Sequence, residues 1–321
     1  MNSQAQAEAS RAPAEALADF LRRMRLGIED GLPPMTAAQR ASQELPKTLS
    51  QAVERISERL SGEYHEDEWG FDEQFAEAVY PFFEFLYDVW WRVEADGVRH
   101  VPSHGRALLV SNHAGSLFPF DASMILGAIM KEHPLPRWAR FMVLDWAFVL
   151  PFVSVFMRRV GGVPASPHNA VRLLEQDELV MAFPEGVKGT GKPFSERYRL
   201  QRFGRGGFVE LALRTGSPIV PVAVVGSEEI YPKLADAKPI ARAIGAPFVP
   251  ITPTFPWLGL LGLIPLPSKW RIEFCDPIDL SGHPPDAAQD RRLLFDISEE
   301  VRETIQDKLY ENLVKRGAAF F

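Results

Sequence analysis

A single cysteine, Cys275, occurs in 321 residues. No internal disulfide can form, and this usage fits a reducing compartment. Positive charge is short as well: 35 Lys and Arg against 42 Asp and Glu leave a net charge of −7. That balance argues against a nucleic-acid partner, which requires a basic face; a membrane surface stays open to a local basic patch. Residues 1–16 are polar and alanine-rich with no apolar core, so no secretory signal is read there. The chain also lacks an uninterrupted apolar run of about 20 residues, the length a spanning helix needs. Residues 141–157 are apolar but carry Asp145, Ser154 and Pro151. Residues 247–268 have no charged side chain but hold prolines at 247, 250, 253, 256, 265 and 267. No continuous helix accommodates that spacing, and an irregular loop cannot cross lipid exposed. The expectation is no transmembrane span, with peripheral or monotopic attachment open.

Several chemical signatures are missing too. No G-x-S-x-G elbow occurs, which leaves a serine hydrolase of the α/β type unsupported. The seven histidines are scattered without zinc spacing, so no metal site is expected. Gly186–Lys192 fits G-x-x-x-x-G-K, but Pro193 stands where a Ser or Thr would ligate magnesium. A nucleotide hydrolase is set aside on that ground. No internal repeat is present.

What the chain does have is core material, 46% hydrophobic and 24% charged residues, enough for a sizeable globular interior. Residues 1–14 are polar and aperiodic and read as a disordered tail. Residues 15–95 read as a helical region, with helices over 15–27, 37–44 and 49–60 and a stronger one over 71–95. The second half of that last helix holds Tyr80, Phe82, Phe83, Phe85, Tyr87, Trp90 and Trp91. They cover more of its circumference than one buried face needs. It is either packed on both sides or lies at a lipid interface, where Trp and Tyr are favoured.

From Val98 the pattern alternates. Strands are read at 107–110, 140–144, 179–183, 219–225 and 270–274. Helices are read at 122–130, 146–156, 168–175 and 206–214, the last stopped by Gly216, with a long amphipathic one over 286–314. The fold class expected is α/β, a mostly parallel central sheet flanked by helices, with residues 96–321 forming one domain.

Two strand ends carry the chemistry. The apolar run Ala107–Val110 leads into Ser111-Asn112-His113. Gly115 and Pro119 then forbid a simple continuation, and Asp121 opens the next helix. Open α/β sheets place their chemistry at strand ends. His113 with Asp121 there suggests a general base whose tautomer is held by a carboxylate; a surface loop with a helix-capping aspartate is the other reading. The second strand end is Phe183-Pro184-Glu185-Gly186, followed by Val187-Lys188-Gly189-Thr190-Gly191-Lys192. Its glycines let backbone approach a ligand closely, and Lys188 and Lys192 suit a phosphate. A flexible, solvated loop is the alternative.

Asn112-His113…Asp121 followed about sixty residues later by Phe183-Pro184-Glu185-Gly186 resembles the glycerolipid acyltransferase family, the lysophosphatidate acyltransferase-like group. The likeness runs from about Val98 to Ile278. It includes Phe152–Gly162, near the family's second motif, and Val220-Pro221-Val222-Ala223, a late strand motif. The resemblance implies that His113 takes a proton from an acceptor hydroxyl. That oxygen would attack an acyl thioester of coenzyme A or acyl carrier protein, with Asp121 holding the imidazole. No metal or resident cofactor is implied. Glu185 and Gly186 would shape the acceptor site, and Lys188, with Arg158 or Arg159, would meet a phosphate. A solvated, membrane-facing turn is the other reading of the arginine pair. Residues 141–157 and 247–267 would supply an acyl groove and a lipid-facing surface, or ordinary core.

The resemblance further implies a lysophospholipid acceptor and a place at the cytoplasmic face of a membrane. Two departures bear on the acceptor. Seven residues separate His113 from Asp121, where the family pattern has four. Pro167 and Val187-Lys188 stand where an arginine and a Thr-Arg pair are expected. They weaken the case for lysophosphatidate itself. A neutral lipid alcohol is the alternative acceptor, and a non-catalytic lipid-binding protein on the same fold is the alternative of another class.

Overall fold

The computed structural model describes residues 66–115, 120–149, 152–243 and 245–320, together with Asp30 and Arg40. The expected tail and the helices over 15–27 and 49–60 lie outside the described residues, as does the one over 37–44 apart from Arg40, which is helical. The stretch 116–119 between His113 and Asp121 also lies outside them. The chain divides into two compact units, Met1–Trp90 and Trp91–Phe321.

In the first unit, α1 (Glu73–Phe85) starts at Asp72, whose side chain accepts from Phe75 N. Pro81 lies inside it. A π-helical turn, Leu86–Trp90, follows. The expected helix over 71–95 therefore ends early, and residues 94–96 form a strand instead. Arg92, with φ of +47°, breaks the helical run between them. The aromatic cluster is mixed in its exposure: Tyr87 is buried, while Phe82, Phe83, Phe85 and Trp90 are half-buried.

The second unit is built on a seven-stranded sheet. Its strands are β1 (Glu94–Asp96), β2 (Ala107–Ser111), β3 (Ala139–Val143), β4 (Gly162–Pro164), β5 (Leu179–Ala182), β6 (Ile219–Val225) and β9 (Arg271–Phe274). β7 (Ala235–Asp236) and β8 (Pro250–Ile251) form a separate antiparallel pair. The order is β1-β9-β6-β2-β5-β3-β4, and every pairing is parallel except β6 with β9. β2 and β6 are buried at every position. Continuous apolar runs are what a parallel sheet covered on both faces demands. Residues 162–164, read from sequence only as a connection, supply the outer strand β4; three residues are too short a run for an alternation to show.

Helices cover the faces. α2 (Phe120–Glu132) buries Met124, Ile125, Ala128 and Ile129. The segment expected as one helix over 146–156 is two, α3 (Asp145–Val149) and α4 (Val153–Arg159). Phe152, just before α4, has φ of +66°, which is outside the helical region. α5 (Pro167–Glu175) is capped by Ser166, and a single turn, α6 (Val187–Thr190), follows β5. α7 (Gly207–Thr215) ends at Gly216, whose φ of +62° suits a left-handed cap. α8 (Lys238–Ala243) precedes β8. The long helix α9 (Arg291–Arg316) starts at Asp290. It buries Leu294, Ile297, Val301, Ile305 and Leu309 as one stripe and packs along β6 and β9. Among the described residues no helix is long and apolar enough to cross a membrane.

The far edge of the sheet is locked by tryptophans. Trp270 is fully buried and stacks on Trp91 with ring centroids 4.8 Å apart. Its indole N–H donates to Ser268 Oγ at 3.0 Å, and Trp91 donates to Leu266 O at 3.0 Å. Gly226, at φ +116°, lies so close that a Cβ there would sit 2.5 Å from the Trp270 ring. Trp270→Ala should therefore cost about 3–5 kcal/mol of stability. Urea unfolding followed by circular dichroism should show a lower midpoint at constant slope; an unchanged midpoint would refute this account of the edge.

Candidate active site

β5, β2 and β6 lie side by side in parallel, Val110 opposite Ala182 and Ser111 opposite Val222. Their carboxyl ends consequently share one rim. Asn112, the first residue past β2, is 1% exposed. Its carboxamide pairs with the backbone of β6: Nδ2 donates to Val224 O at 2.9 Å, and Oδ1 accepts from Val224 N at 2.8 Å. The side chain thus continues the ladder after the main chain of β2 has turned away.

That turn delivers His113 to Asp121. His113 Nδ1 lies 2.6 Å from Asp121 Oδ2. The carboxyl group is fully buried, and the histidine side chain keeps 18% of its exposure. Asp121 is well supplied with donors, since Oδ2 also accepts from Ala114 N and Oδ1 from Ala122 N, both at 3.0 Å. A carboxylate on Nδ1 fixes the tautomer with the proton on that nitrogen. Nε2 is then left as the basic one. The imidazole face stacks on Phe183, with centroids 4.4 Å apart.

Glu185 comes from the end of β5 and holds the same loop from the other side. Its Oε1 accepts from His113 N at 2.9 Å, and its Oε2 accepts from Gln201 N at 2.6 Å. The residue is 4% exposed. Burial pushes its carboxyl above the usual range, while Lys192 and the two amides pull it back. Gly186 adopts φ +52°, ψ −141°, a conformation open to glycine. Gly189 has a different reason: a Cβ would meet His113 O at 2.7 Å. The close approach that this glycine permits is to the protein's own His113 loop.

Residues 92–225, which span both strand ends, match the acyltransferase family. The chain carries an acyltransferase-family domain over those residues. It is 45% identical over 316 residues to an uncharacterized protein of Mycobacterium tuberculosis, covering 97% of this chain and 87% of that one. Phytyl ester synthase 2 of Arabidopsis thaliana is 36% identical over 146 residues, 43% of this chain and 20% of the synthase. Among solved structures, the 1-acyl-sn-glycerophosphate acyltransferase PlsC of Thermotoga maritima aligns with a TM-score of 0.51 at 20% identity. That alignment covers 77% of this chain and 84% of PlsC, and it establishes a shared fold.

Around this rim the other expected residues fall in different places. Lys188 is exposed on α6. Arg158 is exposed on α4, its guanidinium 5.6 Å from the centre of the Phe148 ring, whereas Arg159 is 4% exposed. The rim itself pairs charges in a way that spacing did not reveal, and Lys192, expected to suit a phosphate, faces a carboxylate instead. Lys192 Nζ is 2.5 Å from Glu228 Oε1, and Lys233 Nζ is 2.8 Å from Asp236 Oδ2. With Gly115 these lysines line a small pocket beside the His113 loop. Glu228 follows the carboxyl end of β6 in Gly226-Ser227-Glu228-Glu229; a polar run just past a buried strand is the one sequence signal that could have pointed to it.

Asn112→Ala should unpair two buried groups of Val224 and lower stability by about 3 kcal/mol. Chemical unfolding measures that loss; a change within experimental error would show that the carboxamide is dispensable to the rim.

Proposed function

We propose that the chain transfers a fatty acyl group from an acyl thioester to the hydroxyl of a lipid acceptor, with His113 as general base. The observation that carries this reading is the 2.6 Å contact between His113 and the fully buried Asp121, on an imidazole that stays partly exposed. His113 Nε2 removes the acceptor's hydroxyl proton as its oxygen attacks the thioester carbonyl. The C–S bond then breaks, and the imidazolium returns the proton to the leaving thiolate. Asp121 remains ionised throughout and stabilises the imidazolium. No acyl-enzyme forms, and no metal or resident cofactor takes part. Cys275 is buried, and burial pushes its thiol up to about 12, which leaves it a poor nucleophile at neutral pH.

The acceptor proposed first is a lysophospholipid of the 1-acylglycerol-3-phosphate type, its phosphate met by Lys188, with Arg158 or Arg159 as a second cation. A second acceptor, a neutral lipid alcohol, is favoured by one feature of the rim. Both lysines in the pocket beside His113 already face carboxylates, Lys192 with Glu228 and Lys233 with Asp236. The sequence likeness to phytyl ester synthase 2 points the same way.

Thiol release from oleoyl-CoA, with 1-oleoylglycerol-3-phosphate, diacylglycerol and hexadecanol as acceptors, separates these readings. His113→Ala should lower turnover by about 10²–10⁴-fold, the usual contribution of a general base. Asp121→Asn should lower it by orders of magnitude with folding intact. Full turnover in His113→Ala would sink the mechanism. A wild-type chain that uses no acceptor would favour a non-catalytic lipid-binding protein.

We also propose peripheral membrane contact through the charge-free stretch 247–268. Trp257 is 73% exposed there, with Leu258 at 56% and Leu261 at 40%. Embedding a tryptophan side chain is worth about 1.5–3 kcal/mol. Trp257→Glu should then weaken co-sedimentation with liposomes by about tenfold or more. Unaltered partitioning would remove this loop as an anchor.

A further inference from the structure

Beside the His113 loop three charged side chains, Glu185, Lys192 and Glu228, lie in a row. Lys192, 8% exposed, sits between two carboxylates. Its Nζ is 2.5 Å from Glu228 Oε1 and 4.0 Å from Glu185 Oε2, and it donates to Arg199 O at 3.0 Å. Each carboxylate in turn grips backbone. Glu185 accepts from His113 N and Gln201 N, and Glu228 accepts from Tyr198 N. The strap 198–201 is thereby tied at three of its four residues to the group that holds the His113 amide.

The strap is held from its other side as well. Gln306 of α9 donates to Tyr198 O at 2.8 Å and accepts from Leu200 N at 2.9 Å. The Tyr198 hydroxyl donates to Glu229, which pairs with Arg316 at 2.7 Å. Tyr198 has φ of +64°, a region that costs a non-glycine residue of order 1–3 kcal/mol and persists only where surroundings enforce it. The clamp is therefore over-determined everywhere except at its centre, where one ammonium serves two buried carboxylates.

An anion receptor is the other use such lysines could serve. The geometry argues against it, because Lys192 is spent on Glu228 and Arg199 O, and Lys233 on Asp236 and Gly191 O.

We infer that Lys192 is a positioning residue for acyl transfer: its ammonium, shared by Glu185 and Glu228, keeps the Glu185 carboxylate on the His113 amide and so fixes the imidazole against Asp121. The inference rests on the acyl-transfer reading given above. Removing the cation leaves two buried carboxylates with no counter-charge between them, and such groups take up a proton instead. Burial already raises Glu185 and pushes Glu228 up to about 7, in each case with Lys192 as the largest opposing influence. A protonated Glu185 has one strong acceptor left for two amides, and the His113 loop loosens. The charged and titratable groups around this centre include His113 on the β2 loop, Glu229 beside Glu228, Tyr198 on the strap, Arg316 on α9, and Arg197 and Lys233, which line the same small pocket as Lys192 and Glu228.

The test uses the full chain with Lys192→Met and Lys192→Arg, and two readouts. The first is kcat and KM for thiol release from oleoyl-CoA with 1-oleoylglycerol-3-phosphate or hexadecanol, whichever turns over. The second needs no substrate: the low-field NMR line of the proton between His113 Nδ1 and Asp121, assigned by its loss in Asp121→Asn. Lys192→Met should lower kcat by about ten- to a hundredfold, the scale of a misplaced catalytic group, with KM within about twofold for both substrates. The NMR line should shift or broaden, and Lys192→Arg should recover most of both signals. A Lys192→Met chain with wild-type kcat and an unmoved line overturns the inference. So does a rise in KM at constant kcat, which would mean substrate contact, and so does an arginine variant as impaired as the methionine one. If Lys192→Met does not fold, Lys192→Gln carries the same reading, since it keeps a donor for Arg199 O without the charge. If the wild-type chain turns over neither acceptor, the acyl-transfer reading fails while the NMR line still decides whether Lys192 positions His113.

Discussion

A carboxylate taken out of water has to be surrounded by donors, and at this rim that requirement decides the geometry. Asp121 is fully buried and takes one imidazole nitrogen and two amides. Glu185 is 4% exposed and takes two amides with a lysine nearby. The donors come from four stretches of chain: the His113–Ala114 loop, the first turn of α2, Lys192 after β5, and Gln201. Satisfying both carboxylates therefore ties the loops after β2 and β5, the first turn of α2 and the strap before α7 into one unit. Buried charges with incomplete partners cost several kcal/mol, so the loops cannot drift independently.

The sheet makes this possible. β5, β2 and β6 are neighbours in parallel, so their carboxyl ends fall together whatever the loops do. Asn112 then uses its carboxamide in place of main chain to stay paired with Val224. That frees the backbone of His113 to bend toward Asp121 while the strand end stays sealed. The rigid scaffold sets the coarse position; hydrogen bonds to buried charge set the fine one. This division suits a proton-transfer group, whose efficiency depends on small displacements.

Much of the architecture was legible locally. Runs such as Leu179–Ala182 and Ile219–Val225 are long enough and apolar enough to announce buried parallel strands. The α9 stripe announces a helix through its period. Failures occurred where local pattern is silent. Three-residue strands such as β1 and β4 carry no period, and their identity depends on a neighbour's free edge. The helix expected to reach Ala95 was over-extended because an aromatic-rich run looks helical until Arg92 adopts a left-handed φ. In 141–157 the apolar content was visible, but the break into α3 and α4 was signalled by Pro151 alone.

By itself the sequence determined the α/β class, the two strand ends that carry His113 and Glu185, and a motif resemblance to acyltransferases. These are local properties, written in composition, periodicity and short motifs. Tertiary structure decided how the ends meet. It brought Asp121 within 2.6 Å of His113 across a seven-residue interval, placed Glu185 on the His113 amide from 72 residues away, and set Lys192 against Glu228. Those contacts depend on strand order and register, and on what each buried charge can find as a partner. Neither is written in the residues adjacent to it, which is why the two strand ends could be located from sequence but the contacts between them could not.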